Sequence, residues 1–221
     1  MNGDRRLSDK LGMVDTAASN MSQKQRAKRG RPNWFIAWPF EAALDDPTIL
    51  SPENVPPKVR VFAPSDRHIT ALFLGDVTED TAHAVWAAAA ALEWAPIFAD
   101  LGAIRMLGGG QPSAVSALVS AGAEQLVPLM EQLPLLAEGA SWQRRSQDKK
   151  WAPLPHVTLA RIQRSAAESH REQALEWAQA LRVRASTTLD RLALYTWSTD
   201  RSRTLFAKVA ERTASAGARH A

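Results

Sequence analysis

Short apolar runs and Ala-rich stretches alternate along this chain in an order that occurs twice. The first block contains RHITALFLGDV, then TEDTAHAVWAAAAALEWA, then FADLGAIRMLGGG and SAVSALVSA. The second block contains PHVTLARIQR, then SAAESHREQALEWAQALRV, then TTLDRLALYTWS and RTLFAKVA. Short apolar runs bounded by Gly, Pro and polar residues predict strands, and the longer Ala-rich stretches predict helices. The pattern therefore predicts the order strand, helix, strand, strand, repeated once along the chain.

Both predicted helices begin with a capping signal. Thr78 precedes the first helix, whose first turn is acidic. Ser165 is predicted to cap the second helix, because Glu168 follows at the capping-box spacing. An earlier apolar run, NWFIAWP, predicts a further strand, and the residues that would share its core face are Trp34, Ile36 and Trp38.

Each block opens on a strand that carries the polar motif His-x-Thr, and the two copies lie 88 residues apart. The four candidate catalytic residues are His68, Thr70, His156 and Thr158. Residues i and i+2 of a strand point to the same face, so each motif would present an imidazole beside a hydroxyl. If the repeated fold brings the two pairs together, they supply a general acid, a general base and two hydroxyl donors. This set of groups suits the opening or closing of a phosphodiester.

A structural role for these motifs is the alternative. A buried His beside a Thr is an ordinary hydrogen-bonded pair in a strand, and a three-residue motif by itself is a weak signal. The repeat favours catalysis, because the polar motif stays in register with matching strands and helices. The remaining histidines are interpreted as surface, helix-packing or terminal residues, and they are His83, His170 and His220.

The motifs resemble those of the 2H phosphoesterase superfamily, in its branch of LigT-like 2′-5′ RNA ligases and RNA 2′,3′-cyclic phosphodiesterases. HITALFLGDV is similar to that family's first motif, including the Phe-Leu-Gly after it. PHVTLAR is similar to the second motif, including the Pro before the His and the Arg after Leu-Ala. The resemblance covers Trp34 to Arg212. It implies an α+β fold, a bilobal domain with pseudo-twofold duplication in which two antiparallel sheets line a cleft and the helices lie outside.

One segment departs from the family pattern. The family commonly places a helix between the first strand and the first motif, whereas residues 39–66 of this chain hold six of its thirteen prolines. Prolines at this density disfavour a regular helix. We therefore expect one approach to the cleft to differ from that of the family, which affects substrate choice more than chemistry.

The resemblance implies metal-independent hydrolysis of the 2′,3′-cyclic phosphate ends of RNA or nucleotides to a 2′-phosphate. It implies that His68 protonates the departing 3′ oxygen and that His156 activates water, although the sequence alone does not fix which ring is the acid. No cluster of His, Asp and Glu has metal-ligand spacing, so we expect no metal and no other cofactor. The alternatives are a 2′-5′ RNA ligase, a phosphodiesterase for another 2′-linked nucleotide (a 2′-5′ oligonucleotide or ADP-ribose cyclic phosphate), and a non-catalytic RNA-binding module.

A basic segment, SWQRRSQDKKWAP, lies directly before the second motif. The candidate substrate-binding residues are Arg144, Arg145, Lys149, Lys150, Trp151 and Arg161. Cations interleaved with indoles suit a strand of nucleotides, because charges meet phosphates and indoles stack on bases. The alternative is an exposed charged loop whose Trp142 and Trp151 pack on the core. In an ideal strand Arg161 would lie on the face opposite Thr158, so a bulge or the strand end is needed to bring it near a phosphate.

The excess positive charge of the chain is confined to its N-terminal segment. Residues 1–31 carry eight Lys or Arg and three Asp, a net charge of +5, whereas the remainder carries 19 basic and 20 acidic residues. This polar segment cannot bury enough apolar surface to fold, so we expect a disordered basic tail over residues 1–31. It serves either as an electrostatic arm for RNA phosphates or as a solvated leader without a role. The catalytic domain is predicted over residues 32–212, and a frayed C-terminus over residues 213–221.

Composition restricts the class of protein further. The chain has no cysteine, which excludes disulfides and thiolate chemistry. No apolar run approaches the roughly 20 residues of a membrane helix, and the N-terminus lacks the hydrophobic region of a secretory signal. We therefore expect a cytoplasmic monomer that binds RNA or a nucleotide and no membrane.

Overall fold

The computed structural model describes residues 31–140, 142–143 and 152–215. The strands of the described residues are β1 (Trp34–Pro39), β2 (Val59–Val61), β3 (His68–Gly75), β4 (Ile97–Leu107), β5 (Ala114–Ala121), β6 (His156–Ile162), β7 (Ser186–Leu189), β8 (Arg191–Trp197) and β9 (Phe206–Thr213). The α-helices are α1 (Glu79–Ala88), α2 (Ala123–Glu138) and α3 (Glu168–Ala180). The two predicted helices are present, and a strand lies at each predicted position, but the run TTLDRLALYTWS, predicted as one strand, forms the two strands β7 and β8. Strand β2 and helix α2 are additional elements.

The nine strands of the described residues form one antiparallel sheet in the order β7-β4-β5-β6-β3-β1-β8-β9, with β2 paired to β6. The two motif strands, β3 and β6, are neighbours at its centre, where Ile69 is the register partner of Val157. We expected two sheets, and the structure instead has two half-sheets that are continuous through this central pair. The α+β class and the antiparallel arrangement are confirmed.

Each half-sheet takes strands from both sequence blocks, which the repeat did not predict. β4 and β5 follow the first motif in sequence, yet β5 pairs with the second motif strand, β6. Conversely, β8 follows the second motif and pairs with β1, the neighbour of β3. The reason is that β1 and β6 occupy both edges of β3, so the strands that follow β3 have no free edge there.

One of the two predicted helix caps is correct. The Thr78 side chain accepts a hydrogen bond from the amide of Thr81 at the start of α1, as predicted. The predicted Ser165 cap is wrong, because α3 begins at Glu168 after Ala167 and no side chain caps it. Ser165 instead lies in a tight turn closed by a backbone hydrogen bond between residues 163 and 166, so the chain is not yet helical there.

Helix α2 contains Pro128 and Pro134, which is why its sequence does not look helical. An interior proline costs a helix roughly 3 kcal/mol relative to alanine. The helix nevertheless forms, because Leu126, Leu133 and Ala137 make a stripe that is almost fully buried in the main core. Tertiary packing thus overrides local propensity in this element.

Strand β1 is buried on both faces. Trp34, Ile36 and Trp38 are at most 5% exposed, which confirms the predicted core face. The opposite face is buried as well, because Phe35 packs with Tyr195 of β8 in a separate apolar cluster. This second cluster forms the floor beneath the first motif.

The proline-rich segment contains no α-helix, as its composition predicts. Between β1 and β3 the chain forms the short 3₁₀ helices Pro47–Leu50 and Pro64–Asp66 and the three-residue strand β2. Strand β2 lies along β6, so this segment borders the second motif strand. None of the described helices is both long and apolar enough to cross a bilayer.

By its internal contacts the chain divides into Met1–Pro32 and Asn33–Ala221. Nearly all of the first unit, including most of the predicted basic tail, lies outside the described residues, so the tail stays a prediction. Within the second unit, the amides of Ala214 and Ser215 donate hydrogen bonds to the carbonyls of Asp190 and Trp94. The chain is therefore held in place as far as Ser215, beyond the predicted domain end at residue 212.

Candidate active site

The four side chains of the two motifs lie on one face of the central strand pair. Ile69 and Val157 face the core and are fully buried. The polar residues on either side of them point the opposite way and line one cavity of about 720 Å³; they are His68, Thr70, His156 and Thr158. In this register each imidazole lies across from the threonine of the other strand.

Both imidazoles are held by the same kind of backbone hydrogen bond. Nδ1 of His68 lies 2.7 Å from the carbonyl oxygen of Asp66, and Nδ1 of His156 lies 2.7 Å from the carbonyl oxygen of Leu154. A carbonyl can only accept a hydrogen bond, so Nδ1 carries a proton in both rings. Nε2 is then the nitrogen that can take up or release a proton in the cavity.

His68 packs against three aromatic rings. Its ring stacks on Phe35 at a centroid distance of 4.7 Å, lies 5.6 Å from Tyr195 and meets the edge of Phe206 at 5.2 Å. Burial lowers the pKa of His68 from 6.5 to about 4; the hydrogen bond to Asp66 opposes this change and repulsion from His156 adds to it. His68 is therefore neutral at pH 7 in the free protein.

His156 is also partly buried, but it is not surrounded by the aromatic rings that pack against His68. Burial also lowers the pKa of His156, and the hydrogen bond to the Leu154 carbonyl opposes that change. The aromatic floor lies beneath His68 on the β1 side of the strand pair. The two rings thus share a tautomer, and the aromatic rings around His68 contribute to its burial, which disfavours the charged form.

A bulge in β6 brings Arg161 to the cavity. Consecutive residues of β5 pair with Thr158 and Ala160, which leaves Leu159 without a partner. The extra residue reverses the alternation of faces, so Arg161 lies on the same side as Thr158 and lines the cavity. From the sequence, Arg161 could lie on the same side as Thr158 only at a bulge or at the strand end, and the structure has a bulge there.

Strand β3 has the equivalent bulge, which places Phe73 in the cavity. Consecutive residues of β1 pair with Thr70 and Leu72, which leaves Ala71 without a partner. Phe73, at the position of the repeat that corresponds to Arg161, lines the cavity with 45% of its surface exposed. Phe73 was not predicted as a site residue, although its equivalence to Arg161 in the repeat was an available signal.

Thr158 has a buried hydroxyl partner on β5, whereas the residue paired with Thr70 on β1 has no hydroxyl. Ser116 of β5 is the register partner of Thr158, is fully buried, and places its Oγ 3.2 Å from Thr158 Oγ1. At the corresponding position β1 presents Ala37 to Thr70. Ser116 therefore orients Thr158, and sequence reasoning missed it because the pairing of β5 with β6 was not predictable.

Asp66 connects His68 to the start of β9. Its carboxylate is buried and accepts hydrogen bonds from the amides of Leu205 at 2.8 Å and Phe206 at 3.2 Å. Its backbone carbonyl accepts the Nδ1 hydrogen bond of His68. One residue therefore positions the His68 ring and the strand whose Phe206 packs against that ring.

Four arginines line the cavity: Arg60, Arg161, Arg164 and Arg201. Arg60 lies on β2, and Arg201 lies in the loop between β8 and β9. Among the described residues that line this cavity there is no Asp or Glu. Of the four, only Arg161 was predicted. Arg60 reaches the site through the pairing of β2 with β6, and Arg201 through the position of the β8–β9 loop, and the sequence reveals neither. Arg164 lies just after the end of β6 and was overlooked.

The predicted basic loop falls mostly outside the described residues. Arg144, Arg145, Lys149, Lys150 and Trp151 belong to the undescribed part of the chain, so their role in substrate binding stays a prediction. Trp142 is described and packs in the core, where its Nε1 donates a hydrogen bond to the Leu74 carbonyl at 3.4 Å.

Two further features of the described residues bear on the location of the site. A cavity of about 740 Å³ lies between β4 and the segment after α3, and it contains neither motif. Its lining holds no histidine, so it lacks the pair of neutral-pH acid–base groups that the 720 Å³ cavity has. Within the described ranges, no three residues of the types His, Cys, Asp and Glu come close enough to hold a metal ion.

Comparison with known proteins places this site in a family. A family model described as the 2′-5′ RNA ligase superfamily matches residues 58–201, close to two thirds of the chain and both motifs. No protein with curated annotation matches the chain. E. coli LigT complexed with 3′-AMP is 18% identical with a TM-score of 0.58, over 84% of this chain and 99% of LigT. The protein TT0787 of Thermus thermophilus is 19% identical with a TM-score of 0.57, over 82% of this chain and 97% of that one.

At these identities the solved structures show a common fold, and the family match adds the sequence relationship. The match includes both strands that carry the histidines. The chain therefore belongs to the 2′-5′ RNA ligase superfamily of 2H phosphoesterases.

Proposed function

We propose that this protein hydrolyses the 2′,3′-cyclic phosphate of RNA ends or nucleotides to a 2′-phosphate, without a metal ion. The observation that carries the proposal is the symmetric placement of the two motifs. Both imidazoles turn Nε2 to one cavity, and each stands across from a threonine hydroxyl. A cyclic phosphodiester needs this set of groups, because a water must lose a proton while a ribose oxygen gains one.

The proposed reaction has a single displacement at phosphorus. One imidazole takes a proton from water through Nε2 as the water oxygen attacks the phosphorus atom. The bond between phosphorus and the 3′ oxygen breaks, and the other imidazole donates the proton of its Nε2 to that oxygen. The phosphate stays on the 2′ oxygen. At the end of the reaction the ring that acted as the base carries a proton on Nε2, and the ring that acted as the acid has lost its own.

The resemblance to the family assigns the acid to His68 and the base to His156. In the free protein the burial of His68 favours its neutral form. A phosphate anion bound between the two imidazoles stabilises their charged forms, so substrate binding itself helps to protonate the acid. A protonated imidazole is thus more favourable in the complex than in the free protein.

The remaining cavity residues fit the rest of a nucleotide. Thr70 and Thr158 would donate hydrogen bonds to the non-bridging oxygens, where negative charge grows in the transition state. Arg161 would form charge-assisted hydrogen bonds to the same phosphate. Phe73 offers an exposed phenyl ring beside the motif strand, which suits stacking on a base.

Product analysis tests this function. The protein is incubated with each of the four 2′,3′-cyclic nucleotides in excess EDTA, and the 2′- and 3′-phosphate products are separated. We expect the 2′-phosphate alone and an undiminished rate in EDTA. Loss of activity in EDTA that a divalent ion restores would contradict metal independence, and a 3′-phosphate product would contradict the proposed geometry of attack.

Ligation is the second candidate, supported by the description of the matching family. The same groups with their roles exchanged would join a 2′,3′-cyclic phosphate to a 5′-hydroxyl in a 2′-5′ linkage. Adding an RNA with a 5′-hydroxyl end to the same reactions separates the two. A new 2′-5′ linkage formed faster than the 2′-phosphate would make ligation the principal activity.

A further inference from the structure

We propose that the cleft contains a second anion subsite, formed by Arg60, Arg164 and Arg201, that binds a phosphate on the 5′ side of the reacting nucleotide. This inference rests on the proposed function. In a 2′,3′-cyclic nucleotide the 2′ and 3′ oxygens of the ribose are both bonded to the reacting phosphorus. The neighbouring phosphate of an RNA chain is therefore attached to the 5′ oxygen. The preferred substrate is then an RNA end or a 5′-phosphorylated cyclic nucleotide.

The first observation is a pair of like charges on adjacent strands. Arg60 of β2 and Arg161 of β6 are register partners, so their side chains leave the sheet on the same face. Like charges directly opposite one another destabilise an antiparallel pair. Both residues line the cleft, where an anion bound between them removes the repulsion.

The second observation is that both the backbone and the side chain of Arg201 are held by contacts at the cleft. Its backbone carbonyl accepts a hydrogen bond from Nη2 of Arg60. Its guanidinium lies over the ring of Trp197, 4.5 Å from the centroid. These contacts fix the β8–β9 loop and its guanidinium at the cleft before a ligand binds, which reduces the entropy lost on binding.

The third observation is the lack of a compensating charge in the described residues that line the cleft. Burial first, and then repulsion from Arg164 and Arg201, lowers the pKa of Arg161. Burial and repulsion from Arg60 likewise lower the pKa of Arg201, and attraction to Asp66 opposes them. The Asp66 carboxylate is already engaged by two backbone amides.

The amount of charge exceeds what the reacting group requires. A cyclic phosphodiester carries one negative charge, and Arg161 with the two motif threonines suffices to bind its two non-bridging oxygens. Three further arginines line the same cavity and match a second phosphate. Arginine suits this role, because its planar guanidinium binds phosphate oxygens in pairs.

The test measures kcat/KM for three substrates. They are adenosine 2′,3′-cyclic phosphate, the same nucleotide with a 5′-phosphate, and the dinucleotide CpA with a 2′,3′-cyclic phosphate at its 3′ end. We expect a kcat/KM at least about tenfold higher for the 5′-phosphorylated nucleotide, the size of one or two charge-assisted hydrogen bonds, and a similar preference for the dinucleotide. Arg60→Gln, Arg164→Gln and Arg201→Gln should each lower this ratio, mainly through KM. The triple variant should bring it close to one.

Arg203→Gln is the matched control. Arg203 is exposed, lies on the same loop as Arg201 and does not line the cleft. Its substitution should leave the substrate ratio unchanged. Arg201→Lys should keep part of the preference, because it retains the charge and loses the paired hydrogen bonds.

The outcomes separate this inference from the proposed function. Hydrolysis of both mononucleotides with equal kcat/KM would overturn the subsite and leave the proposed function intact. If no cyclic phosphate is hydrolysed, calorimetric titration with 3′-AMP and adenosine 3′,5′-bisphosphate tests the subsite without turnover. Tighter binding of the bisphosphate that is lost in the triple variant would support the subsite, and equal affinities would overturn it.

Discussion

His68 and His156 have equivalent backbone partners and different surroundings. Each donates Nδ1–H to the carbonyl of the residue two positions before it, which fixes the tautomer of both rings. Aromatic rings then cover His68 on the side of β1 and β8. Burial lowers the pKa of both rings, that of His68 to about 4, so both histidines bear on the pH dependence of the protein.

We predict that kcat/KM peaks below pH 6.5. The productive state has one neutral and one protonated imidazole, and burial lowers both pKa values, that of His68 to about 4. Protonation of the second ring forms the acidic limb, and loss of the last proton forms the alkaline limb. A bound phosphate raises both pKa values, so the maximum of kcat should lie at a higher pH than that of kcat/KM. A kcat/KM that peaks above pH 6.5 would contradict these surroundings.

The same lowered pKa predicts how stability changes with pH. Between pH 6.5 and about 4 the unfolded chain binds a proton at residue 68 that the folded protein does not bind. The free energy of unfolding should therefore decrease as the pH falls through this range and should be unaffected by this group above it. Urea unfolding of the wild type and of His68→Ala measures the effect. The variant should show a shallower decrease, and an identical pH dependence would mean that His68 titrates normally in the folded state.

At the scale of elements, the site depends on two bulged strands and on the start of β9. The bulges at Ala71 and Leu159 turn Phe73 and Arg161 to the cleft. Asp66 holds the start of β9 against the first motif. A change at Asp66 should therefore affect the fold and the site together.

We predict that Asp66→Ala lowers the free energy of unfolding by about 1–3 kcal/mol, because it leaves two amides without their acceptor. It should also lower kcat, since Phe206 would lose its position against His68. Asp66→Asn should be milder, because it retains one carbonyl oxygen as an acceptor. Chemical denaturation measures the difference, with the exposed Asp45→Asn as a control expected within about 0.5 kcal/mol of wild type. An Asp66→Ala protein as stable as this control would show that the hydrogen bonds are unimportant.

The elements themselves were mostly predictable from the sequence, and their pairing was not. The motif strands have clear apolar patterns, so their polar residues could be placed on one face. Helix α2 was missed because Pro128 and Pro134 interrupt its pattern, although burial of its apolar stripe outweighs their cost. Arg60 and Ser116 could not be found, because each reaches the site through pairing with β6, a contact between distant parts of the chain.

At the scale of the whole molecule, charge is distributed unevenly. Residues 1–31 carry a net charge of +5, and the remainder of the chain carries a net charge of −1. Four arginines of the described residues nevertheless converge on the cleft. A cleft that is basic within a nearly neutral remainder is expected to attract a phosphate to the site itself.

Deletion of residues 1–31 should separate the tail from the chemistry. We predict that the fold persists and that turnover of a cyclic mononucleotide is nearly unchanged, because none of the described residues that line the cleft belongs to this segment. Affinity for a longer RNA should weaken, and its dependence on salt should flatten as fewer phosphates are neutralised. Measuring KM and kcat for both substrates at two salt concentrations checks this. Equal losses on the mononucleotide and the RNA would mean that the tail is part of the folded domain.

Turnover of a 2′,3′-cyclic nucleotide by the histidine variants tests the central claim most directly. His68→Ala and His156→Ala should each reduce kcat at least about 10²-fold, the lower end of a general acid–base contribution. The double variant should lose much less than the product of the two effects, because the rings act as a unit. If either single variant remains folded and retains near-wild-type kcat, that histidine is structural and the two-histidine mechanism is wrong.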